Sequence, residues 1–133
     1  MQFNELSGDL VFSAYVGATA AGTAVEVPSA QLPWAGLITE IRWIPGAAMT
    51  ANGTNYCTLT CRNRGSGAGT VVPATRAWSA TNSVATTPEV LTLSSTATDL
   101  QLAAGDVLTA HFTHSGTGLA IPAGIVQFKI RLR

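Results

Sequence analysis

Charged side chains are scarce in this sequence. Only 11% of its 133 residues are charged, and seven basic groups balance seven acidic ones. An ordinary domain carries about a quarter. The clusters of Lys and Arg that hold nucleic acid or an anionic membrane surface are missing, so neither is expected as a partner. Apolar runs are short as well; none reaches the roughly 18 residues that a spanning helix needs. Cys57 and Cys61 are the only cysteines, too few for a disulfide framework. The opening MQFNELSGDL carries Glu5 and Asp9 and no basic residue. That is unlike a secretory signal, so the expectation is synthesis in a reducing cytoplasm.

The motifs of catalysis are equally thin. No GxSxG nucleophile turn occurs, and GSGAGT lacks the lysine that follows the glycines of a phosphate-binding loop. The acidic residues are spread singly; Asp99 and Asp106 are nearest to forming a pair, and both sit in turn-like contexts. Cys57, Cys61, His111 and His114 resemble a set of zinc ligands in type only. On a strand, residues four apart lie about 13 Å from each other, which excludes both a disulfide and one shared metal sphere for the two thiols. His111 and His114, three apart, would face opposite ways on one strand. The expectation is buried thiols beside Leu59, with the histidines at a sheet edge and in a turn. No enzyme, metal or cofactor is expected. Asn52 opens a formal glycosylation triplet, NGT, read here as a hairpin turn.

What remains is small residues and strands. Ala, Thr, Gly and Ser supply 61 of the 133 residues, so the exterior consists largely of small, weakly polar groups. A solitary protein usually keeps a more charged surface; this one suits coverage by copies of itself or by another protein. Nine segments alternate apolar and polar residues between Gly, Pro, Asn and Ser clusters: 9–16, 23–27, 36–44, 56–62, 69–74, 88–94, 98–102, 106–113 and 124–132. In GLITEIRWI the parity places Leu37, Thr39, Ile41 and Trp43 on one face. In GIVQFKIRL it turns Val126, Phe128, Ile130 and Leu132 inward. Short strands with turn signals every eight to twelve residues predict one antiparallel β-sandwich over 9–133, jelly-roll-like, preceded by a short N-terminal arm over 1–8.

Candidate interface residues follow from this frame. Phe3 and Leu6 are the apolar groups of the arm. Trp34, in QLPWAG, and Trp78, in TRAWSA, sit in loop-like contexts where an aromatic side chain anchors a partner or stacks on a sugar. Lys129, Arg131 and Arg133 share one side of the last strand and offer an ion-pairing stripe.

Two stretches, ITEIRWIPGAAMTANGTNYCTLTCRNRG and VLTLSSTATDLQLAAGDVLTAHFTHSGTGLAIPAGIVQFKIRL, resemble small head proteins of tailed bacteriophages and prophages. The shared features are the I-x-x-I-x-W-x-P strand, N-Y-x-T-L, L-T-L-S-S-T-A, A-A-G-D-V-L and G-T-G-L-A-x-P-A-G. The resemblance runs from Ile38 to Leu132, and the two cysteines depart from it. It implies a jelly-roll decoration, or cement, protein: a homotrimer on the outer surface of the virion, bridging neighbouring capsomers of the major capsid protein. A carbohydrate- or receptor-binding jelly roll of a phage particle is the alternative.

Overall fold

The computed structural model describes residues 9–65 and 69–133; the arm with Phe3 and Leu6 lies outside them. Nine strands form in chain order: β1 Leu10–Val16, β2 Val25–Gln31, β3 Gly36–Pro45, β4 Tyr56–Asn63, β5 Val71–Ala77, β6 Glu89–Val90, β7 Gln101–Leu102, β8 Val107–Ser115 and β9 Gly124–Leu132. One sheet runs β1-β9-β3-β6, with β7 also on β3, and the other runs β2-β8-β4-β5. All pairings are antiparallel. Consecutive strands mostly change sheets, and the last two insert between earlier ones. That is the winding of a jelly roll, as the strand spacing predicts.

The two inner faces bury a common core. Ile38, Ile41 and Trp43 of β3 and Val126, Phe128 and Ile130 of β9 meet Cys57, Leu59 and Cys61 of β4 and Leu108, Ala110 and Phe112 of β8. Its centre is aromatic. Trp43 meets Phe112 edge-on with centroids 5.4 Å apart, and Trp78 stacks on Phe112 at 6.1 Å. Such pairs add to the burial of their large apolar surfaces. Gly124 is required here: a Cβ would fall 2.5 Å from the Trp43 ring and 2.7 Å from the Ile44 carbonyl oxygen.

Three expectations are corrected. Leu37 does not share the inner face with Ile41 and Trp43. The β3–β9 register shifts between Ile38 and Glu40, so Thr39 is an extra residue, and Ile38 is buried while Leu37 stays half-buried. A bulge reverses parity. Thr39 then turns its hydroxyl to Asp9 Oδ2 at 3.0 Å and to the Lys129 carbonyl at 3.2 Å. Asn52-Gly53 makes no hairpin, because β3 and β4 belong to different sheets. Asn52 Oδ1 instead accepts the N–H groups of Thr54 and Asn55, at 2.9 and 2.7 Å, a local turn made by the side chain. The 88–94 segment is strand only at Glu89–Val90 on β3, with one more bond from the Leu91 N–H to the Ile41 carbonyl at 2.9 Å; Leu93 then bridges to Ala74 of the opposite sheet.

Candidate interaction surface

The outer face of the β1-β9-β3-β6 sheet is built in cross-strand rows. Register aligns Tyr15, Ile125 and Ile44 in one row, then Ser13, Gln127, Arg42 and Val90, then Val11, Lys129 and Glu40. Large apolar groups are left in solvent along it: Tyr15 is 69% exposed, Val90 63% and Val11 53%. Tyr15, Ile44, Pro45, Thr86 and Ile125 line a shallow depression. Thr86 is the one non-glycine among the described residues with a positive φ, 57°, a costly backbone for a β-branched side chain. Its N–H donates to the Pro45 carbonyl at 2.7 Å, which fixes it at the rim. Beside this apolar row, Arg42 pairs with Glu40, the next outward residue on its own strand.

Four of the sequence-derived candidates converge at the far end of the same sheet. The Arg133 N–H donates to the Ala35 carbonyl at 3.2 Å, which brings Arg133 next to the loop carrying Trp34. Trp34 is 40% exposed. Arg131 Nε lies 3.3 Å from Asp9 Oδ1, an ion pair within the chain at the point where the arm would leave. Lys129 follows one row in.

Trp78 does not join them. It is fully buried, because the ladder continues past β5: its N–H donates to the Cys57 carbonyl at 3.0 Å, and its ring turns into the core. Its Nε1 donates to Ser83 Oγ at 2.5 Å. The Arg76 guanidinium lies over that ring at 5.1 Å and reaches Glu89 of the other sheet at 3.3 Å, closing one side of the sandwich. Trp78 lies one residue past β5, in the loop context expected, but it is a core residue and not a surface anchor for a partner or a sugar.

The other outer face is polar. Thr58, Thr60, Thr75, Thr109 and Thr113 face outward on it, and a charged cluster lies to one side, at Glu26 of the edge strand β2. Glu26 accepts from Arg64 Nε at 2.7 Å, Arg64 Nη2 at 2.5 Å and Thr109 Oγ1 at 2.6 Å. The hydrogen bonds from Arg64, with help from Thr109, outweigh desolvation and hold its carboxyl down at about 2. His111, opposite Glu26, is pushed to lower pKa by burial and by the charges of Arg62 and Arg64. Nothing in the residue pattern announces this cluster, whose members come from three separate segments.

Both depressed pKa values act in one direction. On acidification the unfolded chain protonates its histidine from pH 6.5 downward while folded His111 lags behind; the unfolded glutamate protonates at about 4.5 while folded Glu26 waits until about 2. Stability therefore declines across both windows. Glu26→Gln should cost about 1–2 kcal/mol at neutral pH, since the bonds are charge-assisted but partly solvated. It should also flatten the decline below pH 4.5 in urea titrations; an unaltered pH profile would contradict the assignment.

Cys57 and Cys61 lie on the inner face of β4, on either side of Leu59, as alternation predicts, and both are free and buried. The histidines are not at an edge and in a turn. Both belong to β8, an interior strand; His111 faces outward, and His114 Nε2 lies 2.8 Å from the Thr23 carbonyl. Among the described residues, no group of three or more His, Cys, Asp or Glu side chains is arranged to hold a metal ion. Asp99 and Asp106 have separate partners, Ser94 Oγ at 2.6 Å and Asn63 Nδ2 at 2.8 Å.

Comparison with known proteins finds no matching family, no similar curated protein and no similar solved structure.

Proposed function

We propose that this chain is a structural virion protein that decorates the outer surface of a tailed-phage capsid and ties neighbouring capsomers of the major capsid protein together. The observation that carries the reading is the outer face of the β1-β9-β3-β6 sheet, where exposed Tyr15 and half-buried Ile125 and Ile44 form an outward apolar row on a sparsely charged, net-neutral molecule. Such a row is a protein-binding feature more than a solvent-facing one. The sequence resemblance supplies the partner. A brace of this kind needs no reaction chemistry. It needs a stiff sheet, broad modest contacts and many symmetry-related copies, since multivalency multiplies weak holding.

The sugar-binding alternative rests on exposed aromatic platforms, and of its two tryptophans only Trp34 reaches the surface. A glycan array separates the two readings, because a capsid brace binds nothing on it. On expanded phage heads, Ile125→Asp should lower retention of the protein by about tenfold, the loss expected when a buried apolar contact is replaced by an unpaired charge. Undiminished retention by a folded Ile125→Asp chain would move the contact elsewhere.

A further inference from the structure

The jelly roll has four sheet edges, and three of them are blunted. β2 carries Pro28, which has no N–H, and its register shifts between Pro28 and Ala30. β5 carries Pro73, whose carbonyl is taken by the Ser94 N–H at 2.7 Å, and Ala74 is bridged by Leu93. β6 is two residues long. These are the ordinary devices by which natural proteins keep edges from pairing with other chains.

β1 has none of them. It is LVFSAYV, seven residues without proline, charge or bulge, paired to β9 in unbroken register from Leu10 to Val16. Among the described residues, only β9 is hydrogen-bonded to its backbone, and the outward N–H and C=O groups of alternate residues form a template of about 23 Å.

The strand is also complementary to itself. Laid antiparallel against a second copy about a two-fold axis at Ser13, all seven residues find partners. On the outer face Val11 meets Tyr15, Ser13 meets Ser13, and Tyr15 meets Val11. On the inner face Leu10 meets Val16, and Phe12 meets Ala14. Tyr15 opposes the β-branched Val11 twice over, a favoured cross-strand combination, and Phe12 is met by the small Ala14. No like charges face each other.

We propose that two copies of this chain join edge to edge through β1, making one sheet that runs β6-β3-β9-β1 into β1-β9-β3-β6 of the second copy. The contact is isologous, so it closes at two and leaves no free β1 edge. It places the two Tyr15–Ile125–Ile44 rows on one continuous surface. This pairing stands apart from the capsid reading, and replaces the trimer that the resemblance implies with a two-fold unit.

A charge swap at the axis tests it. Ser13 is solvent-exposed on β1, so Ser13→Lys and Ser13→Glu should leave the fold intact, which circular dichroism and melting check. By analytical ultracentrifugation the unaltered chain should sediment at twice its 13.7 kDa. Each variant alone should dissociate about tenfold more readily, because like charges then sit directly opposite each other. An equimolar mixture of the two variants should recover the dimer, an outcome that only residue 13 facing residue 13 produces. A monomer in the unaltered chain, a trimer, or a dimer indifferent to both substitutions would overturn the proposal. Head binding is measured separately, so either result there leaves this one standing or falling by itself.

Discussion

Trp78→Ala is expected to destabilise the protein by about 3–5 kcal/mol, the usual cost of emptying a large aromatic site in a packed core. Little of that gap can close. Trp78 is wedged between Phe112, stacked at 6.1 Å, and Trp43, edge-on at 6.2 Å, and these come from both sheets. Removal also leaves Ser83 Oγ without its indole donor and takes the ring from beneath Arg76. Since whole domains are stable by about 5–15 kcal/mol, the variant should melt far lower or fail to fold. Trp34→Ala supplies the contrast. That side chain is 40% exposed, and its loss should cost a small fraction as much. Urea melts followed by tryptophan fluorescence distinguish the two. Equal losses would mean that Trp78 is not where the structure puts it.

The second large effect concerns the thiols. Burial raises Cys57 to about 11 and Cys61 to about 12. At pH 8 about one Cys57 in a thousand would then be thiolate, and fewer of Cys61, while neither sulfur meets solvent. A thiol reagent such as Ellman's should modify the native protein at least about a thousandfold more slowly than the urea-unfolded chain, and should recover two thiols only in urea. Rapid native reaction of either, or stoichiometric zinc held by the thiols, would contradict a continuous β4.

How far the letters revealed this architecture depends on how local each signal was. Alternation marked the long strands, because burial of one face imposes a period of two wherever a strand is long enough. Its bounds missed the last four residues of β2 and the last three of β5, and 98–102 is strand only at Gln101–Leu102, after a 3-10 turn over Ala97–Leu100. It also placed Cys57, Leu59 and Cys61 together. It failed at Leu37, since the bulge at Thr39 breaks the period without leaving a distinctive residue behind. At Trp78 the loop context was legible but the burial was not, since the bond to the Cys57 carbonyl and the packing of the ring on Phe112 are long-range events. Asn52-Gly53 misled in a different way: its chemistry makes a turn in either case, but whether the flanking strands pair is decided by sheet order.

The candidate surface was less legible still. Trp34, Lys129, Arg131 and Arg133 were visible as residue types, and their convergence is a product of topology. The apolar row was hidden, since Tyr15, Ile44 and Ile125 lie in three separate strands and join only in register. The Glu26–Arg64–Thr109 cluster was hidden for the same reason.

The reading as a capsid brace stands or falls on one titration. Expanded tailed-phage heads are mixed with increasing amounts of this protein, pelleted, and the bound amount is measured against the major capsid protein. The account predicts saturation at a fixed stoichiometry and greater resistance of the loaded heads to heat or chelator. No retention at any concentration, or loading that leaves the heads as fragile as before, would contradict it.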